Sequence, residues 1–391
     1  MTEQMSTASF PPVGQFVNSI RISCDAIVAA SGAQVSDEAI IRVLQSPAFK
    51  TTFERLSKAH GLAFPVQFAS IHQEVNFLSV LALLNFGSGY RMVLHEQTGR
   101  GAYDCIRKLL LSAFLDIDSP GSSNLGSMLF TAQGMCEAEA GVVATAIGLN
   151  VHEDRQHPSI PGLTIGELGG PAYDFVCLVV QALRETGTAL VQMGCSDLGA
   201  FTLQCLNDAR GDAEKMLEQL VRAIPPLRDM TLVGDETVYL FKKALILINS
   251  LQVRLERRRD IVLVDASVLP VYSDNVLPSM LVHLGVLDVT AVPSLTQAFA
   301  KTHSLDALLE LPQQAAQLAT NIVEGPRVTP QDAAVLRAGA VVACERFIHL
   351  ARKLDIDMTL PQIDAWLWSI AKDRPDYRSL PRFSLRNTVF F

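Results

Sequence analysis

The sequence has no apolar run of the roughly 20 residues that a membrane-spanning helix needs, because each apolar stretch ends within about a dozen residues at a charge, a glycine or a proline. Charge is also scarce. Only 18 % of residues are charged and 49 % are apolar, against a usual charged share of about a quarter. These two features together predict a water-soluble chain with a large buried core. The seven cysteines are odd in number, scattered, and never spaced as CxxC. That excludes a disulfide framework and a zinc ribbon, and they read as reduced core thiols of a cytoplasmic protein. The net charge of -8 argues against a protein that holds long nucleic acid through its phosphates. The one basic run, RLERRRD at 254–260, is interrupted by Glu256 and reads as a solvated helix end. No basic region followed by an apolar stretch opens the sequence, so no secretory signal is expected.

Familiar catalytic signatures are missing as well. Neither GxSxG nor HExxH occurs, and the glycines of GLTIGELGG (162–170) fit no phosphate-binding loop. His152, Glu153, Asp154 and His157 lie together in a stretch rich in glycine and proline, without the spacing of a metal site. They read as a polar surface loop.

Helical periodicity is what the sequence does contain. In AEKMLEQLVRAI (213–224), Met216, Leu217, Leu220, Val221 and Ile224 form one apolar stripe. A longer helix is predicted after Thr329 and Pro330, a cap residue followed by a proline suited to the first helical turn. Further helices are expected near 13–31, 36–60, 73–86, 101–115, 172–193, 276–285 and 361–372. Strands are expected in TLVGDETVYLF (231–241), as a hairpin turning at Gly234 and Asp235, and as an extended piece in IVLVDASVLPVY (261–272). Loops are expected at 116–127 and 150–171. The fold class is therefore mostly α, one compact helical domain over residues 1–391 with a small β-hairpin near 230–240.

Two acids and a lysine pair stand out. Ser273, Asp274 and Asn275 precede an apolar helix carrying Pro278 in its first turn, which makes a good N-cap. A cap also holds a carboxylate fixed and ionised, as a reaction that builds positive charge on a sugar requires. Asp364 lies beside the only two tryptophans, Trp366 and Trp368. An amphipathic helix and a nucleobase-reading carboxylate both explain that string. Lys242 and Lys243 begin an apolar helix right after the hairpin. On composition alone both snorkel to the surface; a buried one needs an anion beside it.

Several segments in order resemble the queuosine salvage family of N-glycosylase/hydrolases. They are LALLNFGSGYR (81–91), LRETGTALV (183–191), FTLQCL (201–206) with MLEQLVRAIPPLRD (216–229), VYLFKKALILI (238–248), VYSDNVLPSMLVHLGVL (271–287), IDAWLWSIAK (363–372) and LRNTVFF (385–391). The resemblance implies a helical fold related to helix-hairpin-helix DNA glycosylases, and hydrolysis of queuosine 5'-phosphate to queuine for salvage into tRNA. It implies that Asp274 is the catalytic carboxylate of an aromatic-small-Asp string. Tyr272, Asp364, Lys242, Lys243, Asn275, Asn85 and Trp368 would bind substrate, with Lys242 at the phosphate. No metal or organic cofactor is implied, and the expected partner is the small nucleotide alone, bound by a cytoplasmic monomer without direct nucleic-acid or membrane contact. Relative to the family pattern, Ala365 replaces an aromatic, Ser369 an acid, and Asn275 with Val276 stand where Tyr-Arg is usual. Residues 116–171 read as a loop insertion. The alternatives are a binder of a modified nucleoside that has lost its chemistry, an N-ribohydrolase of other base preference, and a helical interaction scaffold.

Overall fold

The computed structural model describes residues 8–58, 61–116, 124–299, 304–311 and 323–391. It is mostly helical, and its strands form four two-stranded sheets. Two compact units divide the chain: the first comprises residues 1–66, 209–219 and 229–385, the second 67–208, 220–228 and 386–391.

The first unit is organised around the Pro330–Lys353 helix. Its start is as the sequence predicts, with the Thr329 hydroxyl accepting the Asp332 N–H at 3.1 Å and Pro330 in the first turn. Arg352 and Lys353 close it at the end the helix dipole prefers for cations. Leu336, Val341, Phe347 and the small residues between them are buried against four other helices: Phe16–Ser31, Asp37–Gln45, Val276–His283 and Leu360–Asp373. Each fully buried Leu or Phe contributes about 1.5–3 kcal/mol. Gly339 is required by close approach, since a Cβ there would lie 2.7 Å from Leu287.

The helix expected over 36–60 is two helices, Asp37–Gln45 and Pro47–Leu56. Pro47 has no N–H to continue the first, and the Ser46 hydroxyl caps the second by accepting the Phe49 N–H at 3.1 Å; residues 59–60 lie outside the described residues. The hairpin is formed by Met230–Val233 and Glu236–Tyr239, turning at Gly234 and Asp235 as expected. The extended piece in 261–272 forms no ladder. Asp265 instead accepts the Ser267 N–H at 2.9 Å and winds Ala266–Val268 into a short 3-10 turn.

The second unit centres on the Gly170–Gln192 helix, against which Ala132–Cys136 and Ala140–Ile147 pack. Gly187 allows the closest approach, as a Cβ there would meet the Ala132 carbonyl at 2.7 Å. Ile71–Leu83 is the other core helix, with every residue from Val75 to Leu83 buried. The stretch read as a loop insertion holds regular structure: helices Leu125–Phe130, Ala132–Cys136 and Ala140–Ile147, then an exposed hairpin of His152–Gln156 with Thr164–Leu168. The helices are too short to show a clear periodic stripe. The hairpin is exposed, and its two apolar residues in Thr164–Leu168, Ile165 and Leu168, fall on opposite faces, so no alternation marks it. The greater part of the expected connector at 116–127, residues 117–123, lies outside the described residues. His152, Glu153 and Asp154 sit on the exposed hairpin.

Among the described residues no single helix is long and apolar enough to cross a membrane; the bent pair Ile71–Leu83 and Ser88–Thr98 passes that test only together. All seven cysteines are free, and Cys24, Cys105, Cys205 and Cys344 are buried.

Candidate active site

The site grows from two places where the first unit's chain is pinned. The hairpin delivers Phe241 at φ +46°, left-handed backbone that a bulky side chain rarely adopts. Its ring is held 5.7 Å from that of Phe16 and 5.8 Å from that of Tyr239, which fixes the turn. The Lys242–Leu255 helix begins there. Its first N–H, of Lys242, donates to the Asp229 carboxylate at 3.2 Å, so a negative charge stands at the positive helix end. The N–H groups of Leu240 and Phe241 donate to the Asp229 carbonyl at 3.0 and 3.3 Å.

The second place is the string Tyr272–Asn275, which is buried throughout. Each residue is tied to a different partner. The Tyr272 N–H donates to Asp364 Oδ2 at 2.7 Å, and the Ser273 carbonyl accepts from Arg337 Nε at 2.8 Å. Asp274 Oδ1 accepts the N–H groups of Val276 at 2.6 Å and Leu277 at 3.4 Å. Asn275 Nδ2 donates to the Phe383 carbonyl at 2.9 Å. Asp274, one residue before the N-cap Asn275, thus supplies the side chain that satisfies the first two N–H groups of the Val276–His283 helix.

Charge accumulates between these two places. Lys242 and Lys243 are 3 % and 0 % exposed, so both are buried and neither snorkels to the surface as composition alone suggests. The reason is topological: the helix they open runs into the interior, and Asp229 and Asp274 supply negative charge there. Burial pushes the Lys242 ammonium down to about 8; Asp274 is the strongest charge opposing that, Arg337 adds to it, and Asp229 and Asp364 oppose it. Burial likewise pushes the Asp364 carboxyl up to about 7, against the Tyr272 N–H, with Asp274 adding and Lys242 opposing. Tyr272 is held protonated by the same burial and by Asp364. The buried hydroxyls of Tyr272 and Ser273 have no hydrogen-bond partner among the described residues.

Trp368 and Trp366 divide between two roles. Trp368 lies one helical turn beyond Asp364, hence on the same face, and is half-buried with Lys372 Nζ 3.5 Å over its ring. Trp366 is a core residue, donating from Nε1 to Thr52 Oγ1 at 2.9 Å and packed edge-on against Phe49. Ala365 and Ser369, the two departures on this helix, are buried. Asn85 belongs to the second unit, where it is half-buried just after the Ile71–Leu83 helix and its N–H donates to the Ala82 carbonyl at 3.2 Å.

Sequence reasoning missed Asp229 and Arg337. They form a buried bidentate ion pair with N–O distances of 2.9 and 2.6 Å. A signal existed: Arg337 is the single charge in the twelve-residue apolar run AAVLRAGAVVAC (333–344). A charge there has to be paired or it would not be tolerated.

In a mostly helical protein, three buried carboxylates, Asp229, Asp274 and Asp364, acting on the buried amine of Lys242 mark a candidate site for a polar small molecule. The family model described as queuosine salvage protein matches residues 176–391, more than half of the chain. The chain belongs to that family. The match takes in every site residue above except Asn85. Two curated relatives, each named queuosine 5'-phosphate N-glycosylase/hydrolase, come from Bos taurus and Mus musculus. They are 31 % and 30 % identical to this chain over 105 residues, 27 % of this chain. The aligned part spans 30 % of the length of each relative.

Proposed function

We propose that this protein hydrolyses the N-glycosidic bond of queuosine 5'-phosphate and releases queuine. The observation that carries the reading is the buried cluster of Asp274, Asp364 and Lys242, because the three groups supply the three things this reaction needs. Cleavage passes through a ribosyl cation, so a fixed negative charge under the sugar lowers the barrier. Asp274, held by two backbone N–H groups, is that charge, and it orients the attacking water. The departing base needs a proton. Queuine is a 7-deazapurine, in which carbon replaces the nitrogen that ordinary purine glycosidases protonate, so the acid acts elsewhere on the base. Asp364, poised near neutrality, is the acid at the base edge. Water adds hydroxide to the ribosyl carbon, the base leaves with a proton from Asp364, and the second proton of water restores the acid. Lys242 binds the 5'-phosphate, with Lys243 behind it. Trp368 and Asn275 border the base, and the Tyr272 and Ser273 hydroxyls are donors for the ligand. The mechanism calls on no metal or organic cofactor.

The same reading makes the fold a relative of helix-hairpin-helix DNA glycosylases, which break the same type of bond. It makes the chain one functional domain that acts as a cytoplasmic monomer on a free nucleotide. The test is incubation of purified protein with queuosine 5'-phosphate, queuosine and guanosine 5'-phosphate in parallel, with free base followed by chromatography. Queuine from the phosphate alone is the expected result. No release from any of the three, with a thermal shift still produced by queuosine 5'-phosphate, would replace the enzyme by a binder.

A further inference from the structure

We propose that the Asp229–Arg337 ion pair is the positioning device of this site, fixing the Asp274 carboxylate and the Lys242 amine relative to one another. The inference rests on the reaction proposed above. Arg337 uses all three of its nitrogens on this task. Two grip the Asp229 carboxylate at 2.9 and 2.6 Å, and Nε donates to the Ser273 carbonyl at 2.8 Å, one residue before Asp274. Asp229 in turn accepts the backbone N–H of Lys242 at 3.2 Å. The chain of bonds therefore runs from the peptide before the carboxylate, through the guanidinium and the aspartate, to the peptide of the lysine. Arg337 itself comes from the middle of the long Pro330–Lys353 helix, the most deeply packed element of its unit, so the link is anchored to rigid backbone.

Burial makes the link stiff. Arg337 is 2 % exposed and Asp229 0 %, and a planar bidentate pair at this depth has one geometry, unlike a lysine pair that swivels. A buried ion pair is a poor way to gain stability, because hydrophobic replacements of like volume serve as well or better. Its use here is therefore geometric. A displacement of about 1 Å between reacting groups costs about 100-fold in rate.

Two variants test the proposal. In D229L/R337M both charges leave together, so the core keeps its volume and no unpaired charge remains. The protein is expected to fold with a lowered Tm, because the buried Lys242 N–H and Ser273 carbonyl lose their partners, and to lose about 100-fold in kcat on queuosine 5'-phosphate with a smaller change in KM. Arg337→Lys keeps the positive charge but loses the fork and the Nε donor, and is expected to show the same split between kcat and KM. Wild-type kcat in either folded variant would overturn the proposal. So would failure of both to fold, which would make the pair an element of the fold alone. If wild-type protein releases no base, the proposed reaction fails first, and the positioning role is then read from Lys242 itself. The 13Cε resonance of Lys242, assigned by its absence in Lys242→Met, titrates in wild type at about 8. Arg337→Lys keeps both charges beside that amine, so in this variant a lowered midpoint reports the release of Asp274 from its fixed place. A midpoint unchanged in Arg337→Lys would overturn the proposal independently of turnover.

Discussion

Asp364→Asn isolates what burial does to one carboxylate. In the folded protein this acid titrates at about 7, against an ordinary value of 3.8, chiefly because it is buried. Below the ordinary value the carboxyl is protonated whether the chain is folded or not, and burial costs nothing through ionisation. Between that value and about 7 the unfolded chain releases the proton while the folded chain keeps it. Stability therefore falls as pH rises across this window, and levels off above it. A displacement of about three pH units at ~1.4 kcal/mol each gives a ceiling of ~4 kcal/mol. The effective polarisability of real interiors brings this to ~2 kcal/mol. Asparagine removes the titration and still accepts the Tyr272 N–H through its own Oδ1, the bond now made at 2.7 Å. Urea denaturation of both proteins from pH 4 to 8.5 is the assay, and the stability of Asp364→Asn minus that of wild type is the quantity to plot. It should climb in favour of the variant by ~2 kcal/mol between pH 4 and about 7, while kcat falls ~100-fold below about pH 7, where wild type still holds the acid proton. A flat difference would refute the burial argument; Asp274 and Lys242, which feel the Asp364 charge, move the midpoint of the climb without removing it.

Asp274→Asn should abolish turnover while changing stability by less than ~1 kcal/mol, because asparagine caps a helix as well as aspartate does; a circular-dichroism melt beside the base-release assay checks both. Lys242→Met removes an ammonium that burial has already pushed down to about 8, so at pH 7 the variant should show a strongly raised KM for queuosine 5'-phosphate and be ~1 kcal/mol more stable by urea titration. Gly87→Ala should cost more than ~2 kcal/mol in the same titration, because Gly87 has φ +100° and a Cβ would lie 2.4 Å from the Phe175 ring. The clash with that ring is tested by adding Phe175→Leu to Gly87→Ala, which should recover part of the loss.

The sequence carried the long helices well because their signals are local. Thr329-Pro330 and the apolar stripe at 213–224 each specify structure within a few turns, and both appear where the pattern puts them. Asp274 was legible for the same reason, since a cap is a matter of the next three residues. The short helices of 125–147 were not, because they are stabilised by tertiary packing that no local pattern records: Ala132–Cys136 and Ala140–Ile147 on the Gly170–Gln192 helix, and Leu125–Phe130 on Ala102–Asp116. The depth of Lys242 was hidden similarly. Two adjacent lysines look like surface residues until the chain is known to bring Asp229, 13 positions earlier, and Arg337 against the same helix start. Arg337 is the instructive omission: a lone charge in a long apolar helix run signals a buried partner, though its identity comes only from the fold.

The two displaced acid-base values define a working window that neither residue would define alone. Below about 7 Asp364 keeps its proton, and below about 8 Lys242 keeps its charge. In the proposed reaction the first is the acid for the departing base and the second the partner of the phosphate, so both are in working form only on the low-pH side of this pair. The expected kcat profile therefore falls above about 7 as Asp364 ionises, whereas 1/KM for queuosine 5'-phosphate holds until about 8 and then falls as Lys242 becomes neutral. Separating kcat from KM across pH 6 to 9 distinguishes the two titrations. Alkaline loss of both parameters at one midpoint would mean that a single coupled proton serves acid and clamp together, and would remove the division of labour between Asp364 and Lys242.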